Sequence, residues 1–229
     1  MEQKTYTSQG CPYSCPFCFN GKNDFQEYVL PQIETNNVIL LDDAFLSRRN
    51  VYKDIQVLGS KIIAGKVVNY ELLQGINLID LNPEIAQALK DNRFKNIRFA
   101  WDDSYTKKSY YKVLDGIKML TNAGYKQKDL ICYILSNYYV SLKECLLKGK
   151  LMLYNHIPIC NCVYRKNYLD PKIYPKHWSN DEIEYFKEFC RENNQIIKFN
   201  GFDPEIEKRL IRAKTFPLHK IKKRLYNII

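Results

Sequence analysis

Histidine is scarce in this chain, and its first cysteine pair has no second pair to match. Of 229 residues only three are histidine, His156, His177 and His219, all far from the cysteines near the amino end. A closed zinc site takes four protein ligands, usually in two pairs, so a zinc finger fits poorly. No apolar run is long enough to cross a bilayer. Only ten residues precede Cys11, which leaves no room for a secretory signal. Eight cysteines without a paired framework fit a reducing compartment, where thiols stay available for metal. The expectation is a cytoplasmic protein with no membrane partner, in one unit of a size common for barrels.

Acidic residues are missing from one stretch. Lys208 to Arg224 holds eight basic residues and no acid, in a chain of net charge +10. Setting those eight aside leaves 27 Lys and Arg against 25 Asp and Glu, so the basic character belongs to the C-terminal segment. Three readings of that segment stay open. Its cations could neutralise phosphates while Phe216 and Tyr226 stack on bases. They could dock an acidic electron donor. The segment could also be an amphipathic terminal helix with a solvated face.

The stretch Gly10-Cys11-Pro12-Tyr13-Ser14-Cys15-Pro16-Phe17-Cys18 carries three cysteines at C-x3-C-x2-C spacing. Soft thiolates suit iron–sulfur centres, and three of them on a four-iron cubane leave one iron open to a small molecule. Cys11, Cys15 and Cys18, with Phe17 before the last cysteine, resemble the cluster loop of the radical S-adenosylmethionine (radical SAM) enzymes. The resemblance implies a [4Fe–4S] cluster whose open iron chelates S-adenosylmethionine. It also implies one-electron reduction by a flavodoxin or ferredoxin-type partner and hydrogen abstraction by a 5′-deoxyadenosyl radical. A non-catalytic iron–sulfur or zinc module associated with nucleic acid is the contrasting reading.

Strand and helix signals alternate along the chain, which argues a parallel α/β architecture. Strands are expected at Lys4 to Ser8, Asn37 to Leu41, Lys66 to Leu72, Asn96 to Trp101, Asp129 to Leu135 and Ile157 to Val163. The first helix reads from Arg48 to Leu58. The second opens at the N-cap Asn82-Pro83 and runs through Leu89. Tyr110 to Leu120 is helical by spacing, and capping boxes at Ser141–Glu144 and Ser179–Glu182 open two more helices. Six strands joined by helices resemble the partial (β/α)6 TIM-like barrel of the radical SAM family over residues 1–165. Residues 166–229 read as a helical, basic extension.

In barrels the chemistry sits at the C-terminal ends of the strands. There the second strand meets Asp42 and Asp43, where the family usually has a Gly-Gly-Glu motif that this chain lacks. An aspartate can accept from the cofactor ammonium, or simply cap the next segment. Gln74 and Asn77 follow the third strand in a turn that resembles a family turn holding the carboxylate or ribose; a plain turn around Gly75 is the other reading. Arg98 needs a partner if it points inward, such as a cofactor carboxylate. Asp102 is the candidate for ribose. Ser136 stands where the family's adenine motif has glycine, and the resemblance carries adenine packing over to Phe17. Cys160 and Cys162 share a strand face and with Cys190 would make an auxiliary cluster; as buried thiols they would be small hydrophobes. Substrate identity is not legible; a nucleic acid or nucleoside fits the basic segment.

Overall fold

The protein is described as a computed structural model covering residues 2–18, 24–164 and 177–199. In chain order the strands of the first half are β1 (Gln3–Thr5), β2 (Ser8–Gln9), β3 (Gln26–Glu27), β4 (Asn37–Leu40), β5 (Ile62–Ile63), β6 (Lys66–Val67) and β7 (Asn69–Leu72). The second half adds β8 (Phe94–Lys95), β9 (Arg98–Ala100), β10 (Ile131–Ser136) and β11 (Ile159–Val163). The α-helices are α1 (Val51–Gly59), α2 (Pro83–Asp91), α3 (Lys107–Asn122), α4 (Leu142–Tyr154) and α5 (Asn180–Phe199).

Two parallel sheets carry the fold, in the orders β1-β4-β7-β8 and β11-β10-β9. Among the described residues a single parallel bridge, Ile76 to Phe99, joins them. The fourth strand is therefore kinked. Phe94 and Lys95 pair with Tyr70 and Glu71, while Arg98 to Ala100 pair with Ile131 to Tyr133. Asn96, between the two halves, has φ 51°, a left-handed value that asparagine tolerates.

Each crossover thus steps in the same direction across the sheets. Right-handed crossovers that all step one way put every helix on one face. That face holds Val38, Leu40, Tyr70, Leu72, Phe99, Cys132, Ile134 and Ile159, all buried. The alternate residues Ile39, Glu71, Arg98, Tyr133 and Cys162 are half-buried, and Cys160 is exposed. These residues form the opposite face of the two sheets. Among the described residues β1 and β11 do not pair, so the wall is open.

Several boundaries differ from the sequence expectation, each for a local reason. The stretch Lys66 to Leu72 is two strands: Lys66–Val67 closes a hairpin on Ile62–Ile63, and Asn69–Leu72 joins the parallel sheet. Ala64 and Gly65, with φ 49° and 73°, form the two-residue turn of that hairpin. The first strand breaks after Thr5, and Ser8–Gln9 pairs instead with Gln26–Glu27. The first helix starts at Val51 rather than Arg48, because Phe45–Ser47 forms a 3-10 turn that uses the preceding residues. The third helix starts at Lys107 rather than Tyr110, on a Thr106–Ser109 capping box. The fifth strand starts at Ile131, since Gln127–Asp129 is a 3-10 turn.

Caps fall where side-chain chemistry puts them. Asn82 accepts from Ile85 N at 2.8 Å, and Ser141 and Glu144 form a reciprocal box. Ser179 and Glu182 do the same at the start of α5. That helix is stitched to β11, since Asn194 accepts from Ile159 N at 2.8 Å and donates to Ile159 O at 2.7 Å. Among the described residues no helix is long and apolar enough to cross a membrane. The basic segment Lys208 to Arg224, with Phe216 and Tyr226, lies outside the described residues.

Candidate functional site

Because the main strands are parallel, their C-terminal ends form one edge. The cysteine loop follows β1 and β2 there, and its entry is clamped from both sides. Asp42 takes the Thr7 amide on both carboxylate oxygens at 3.1 Å, and Asp42 Oδ1 also accepts from Thr7 Oγ1 and Ser8 Oγ at 2.6 Å each. On the other side Arg48 donates to Thr7 O, to Tyr28 O at 3.2 Å and to Asp54 at 2.7 Å. Thr7 and Ser8 are fully buried and Asp42 is 2% exposed. Asp42 is thus turned inward with its acceptors occupied, and an ammonium ligand cannot displace those donors without orphaning buried groups. In this arrangement Asp42 is a brace for the loop.

Past the clamp, Gly10 N donates to Asp43 at 3.1 Å, with Gly10 at φ 79°. The Tyr13 hydroxyl donates to Asp80, whose other oxygen accepts from Ser47 Oγ at 2.7 Å. Burial, then the hydrogen bond to Asp80, pushes the Tyr13 phenol up to about 12, so it remains a donor. A turn closes the loop, Cys18 N donating to Cys15 O at 3.0 Å. Phe17 meets Tyr138 edge-on, ring centroids 5.7 Å apart.

Cys11, Cys15 and Cys18 are all half-buried and free of disulfides. Burial raises the Cys11 thiol, and Cys18, Asp43 and Asp80 add repulsion against a backbone hydrogen bond at Tyr13 that lowers it. Burial likewise raises Cys15, with Cys11, Cys18, Asp102 and Asp103 adding to it. The three thiols therefore sit within electrostatic range of one another. Among the described residues, no three His, Cys, Asp or Glu side chains are drawn in to chelating distance. A thiol set ringed by carboxylates repels a bare thiolate and favours a bound cation, which suits soft-metal ligation.

Asp102 follows β9 on the same edge, within electrostatic range of Cys15. Burial pushes its carboxyl up to about 6, against Lys148, which lowers it, with Asp103 raising it further. Lys148 is fully buried, donates to Trp101 O at 3.0 Å and lies 5.5 Å from the centre of the Trp101 indole.

Three other expected residues have partners within the chain. Arg98 is ion-paired with Glu71 and donates to Leu72 O at 3.3 Å, so the carboxylate it needs is Glu71. Asn77 Oδ1 accepts from Ile79 N at 3.0 Å, closing an Asx turn, while Gln74 is exposed. Ser136 is fully buried and donates to Asn161 Oδ1, which leaves only its backbone for any neighbour on the edge. Gly75 does supply a positive φ, 89°, and a Cβ there would meet Arg98 O at 3.0 Å.

Cys160 and Cys162 share one strand face, and Cys190 lies within electrostatic range of Cys160. The neighbouring Cys162 thiol holds Cys160 down to about 7, while Cys162 itself is raised. Ile159, which alternates with them, packs near Gly149 of α4. Cys190 lies buried on α5, on that helix side.

Sequence reasoning missed Tyr13, Arg48, Asp80, Asn137 and Tyr138. Asn137 is buried at φ 55°, donates to Tyr164 O at 3.2 Å and accepts from Trp178 N at 3.0 Å, tying the ends of β10 and β11 to the entry of α5. Its signal was an asparagine directly after a strand, a residue that accepts left-handed backbone.

No family model matches the chain, and no curated protein matches it in sequence. Among solved structures it is similar to a radical S-adenosylmethionine methyltransferase, TsrM from Kitasatospora setae, with cobalamin and a [4Fe–4S] cluster bound. Identity is 11% and the TM-score 0.54, over 71% of this chain and 37% of that one. The chain thus spans well under half of that enzyme's length. What the two share is a fold, a mixed α/β array of parallel strands with the cysteine loop of this chain at its C-terminal edge.

Proposed function

We propose that this protein is a radical SAM enzyme, holding a [4Fe–4S] cluster on Cys11, Cys15 and Cys18. The observation that carries the reading is the position of the C-x3-C-x2-C loop: after the first strand, on the C-terminal edge of a singly wound parallel array. The fold neighbour, whose bound cluster is of the same type, supports it. Its cobalamin is not carried over, given how little of that enzyme the chain spans.

Cys11, Cys15 and Cys18 would hold the cluster, which when bound would supply the electron for reductive cleavage of S-adenosylmethionine. The chain's own residues orient and enclose. Asp42 and Arg48 fix the Thr7 peptide at the loop entry; Tyr13 and Asp80 tie the loop to the turn after β7. Asp43 and Asp102 offer carboxylates to ammonium and ribose. Phe17 and Tyr138 cover the loop with aromatic surface, which keeps water off a cluster. Reduction requires a one-electron donor of flavodoxin or ferredoxin type.

The test is anaerobic reconstitution with iron and sulfide, then incubation with dithionite and S-adenosylmethionine. The expected result is about four iron and four sulfide per chain, the stoichiometry of a cubane, with release of 5′-deoxyadenosine. Cys15→Ala should abolish both. Full iron content and turnover in Cys15→Ala, or stoichiometric zinc with no cleavage, would overturn the assignment; the zinc result would favour a non-catalytic metal module.

A further inference from the structure

Beside the cysteine loop, the strand-end edge carries a chain of touching aromatic rings that continues past Phe17 and Tyr138. Tyr138 meets Tyr139 at 4.9 Å and Tyr164 at 4.7 Å, and Tyr139 meets His177 at 4.6 Å between ring centroids. These rings are not core. Tyr139 is 78% exposed, His177 is exposed, and Tyr138 and Tyr164 are half-buried. Aromatics bury large areas when they can, so rings held against one another in water make a ready surface for a planar ligand.

A second set of rings begins one unit along the same edge. Tyr105, Tyr110 and Tyr111 touch in series at 6.4 and 6.1 Å, with Tyr111 61% exposed. Glu144 links the two sets, accepting from Tyr105 N at 3.3 Å and from Ser141 N at 3.1 Å, two residues after Tyr139. Next to Tyr105 stand Lys107 and Lys108, exposed in the first turn of α3 and without an ion-pair partner among the described residues. Lysines at that end oppose the helix dipole. The helix thus holds two cations at a cost, beside the exposed Tyr111 and the half-buried Tyr105 and Tyr110, which pack against the buried Trp101. The exposed acid on this stretch is Asp103; Glu144 is occupied by backbone amides.

Aromatic faces for bases, interleaved with unpaired cations for phosphates, are the two components of a single-strand binding surface. We infer that this aromatic and basic edge binds single-stranded nucleic acid and presents a base to the cysteine loop through Tyr138, which touches Phe17. The inference rests on the enzymatic reading for the purpose of that presentation, and names its substrate class. Local charge favours this occupant through Lys107 and Lys108, since most of the chain's +10 lies apart from this edge, in Lys208 to Arg224. It differs from a role for Lys208 to Arg224, since the binding determinants sit on the strand-end edge.

The experiment is fluorescence anisotropy of the full chain with a short labelled single-stranded RNA, the DNA of the same sequence, and its duplex, over a salt series. Single strands should bind more tightly than the duplex, whose bases are already stacked. Tyr139→Ala should weaken single-strand binding about tenfold or more. Lys107→Ala with Lys108→Ala should flatten the salt slope by about 1.4, at about 0.7 for each phosphate that is no longer neutralised. All three residues are exposed, so an unchanged melting temperature confirms folding. Absence of binding at low salt, duplex bound as well as single strand, or both variants binding like the parent overturns the inference. S-adenosylmethionine cleavage by dithionite, measured alongside, separates it from the enzymatic reading: a chain that cleaves but binds no strand sinks only the inference. A chain that binds strands as expected and never cleaves sinks the enzymatic reading and with it the presentation to the loop, while the binding surface stands.

Discussion

Tyr13 and Asp80 are 67 residues apart in the chain, and the Tyr13 hydroxyl donates to Asp80 while Ser47 donates to its other oxygen at 2.7 Å. The cysteine loop is thereby fastened at its middle, between Cys11 and Cys15, to the turn that follows β7. Tyr13→Phe removes that fastening and leaves the ring. The expected cost is about 1 kcal/mol of stability, and reconstituted iron should be lost to a chelator faster than from the parent. Equal iron retention would mean that the fastening does not hold the loop.

Asp42 is a stronger brace. Replacing it by Asn puts an amide NH2 or a lone oxygen opposite three donors, and at least one buried donor loses its acceptor. Asp42→Asn should cost about 2–3 kcal/mol, which for a chain of this size lowers Tm by roughly 4–12 °C. Differential scanning calorimetry of the apoprotein reads this directly. If Asp42 instead met S-adenosylmethionine alone, the apoprotein's Tm would stay put and only cofactor binding would fall.

How much of this was legible in the residues depended on how local each cause is. Caps were legible: Asn82-Pro83, Ser141–Glu144 and Ser179–Glu182 each satisfy amides within four residues, so the pattern carries its own partner. The cysteine loop and the carboxylates near the strand ends were legible for the same reason, since parallel strands bring their ends to one edge. Partners far along the chain were not. Arg98 needed a carboxylate, but nothing local says that Glu71, on the neighbouring strand, supplies it. Asp42 and Asp43 are adjacent and chemically alike, yet Asp42 is turned inward to Thr7 and Ser8, while Asp43 meets Gly10. Only the pairing of β1 with β4 decides that. The hairpin at Ala64-Gly65 was a local signal passed over, because Val67 and Val68 read as one apolar run with Asn69 to Leu72.

Gly75 sits at the joint of the two sheets, next to the Ile76 to Phe99 bridge. Its φ is 89°, and a Cβ would meet the Arg98 backbone oxygen at 3.0 Å. Gly75→Ala combines left-handed strain with a clash against backbone, which cannot swing away as a side chain could. The expected cost is about 1–3 kcal/mol. Hydrogen exchange should speed up at Ile76 N, which donates to Arg98 O at 2.7 Å. A variant as stable as the parent, with unchanged exchange there, would mean that the joint tolerates a side chain.

Asp102 holds a buried carboxyl whose charge costs stability. Burial raises its pKa to about 6, above the roughly 3.9 of an unfolded aspartate. Between those values the folded state binds more proton than the unfolded one, so stability is greatest below about pH 4. It falls as pH rises toward 6 and stays lower above that. Two units correspond to at most about 3 kcal/mol. Asp102→Asn removes the charge, so the apoprotein should lose this slope between pH 4 and 6 and be more stable than the parent at pH 7. If Asp102 also holds the ribose of S-adenosylmethionine, the same variant should bind the cofactor more weakly while keeping its iron. A variant that gains stability with cofactor binding intact would remove Asp102 from the site; one that loses stability at pH 7 would show that Lys148 holds the carboxylate more firmly than burial opposes it.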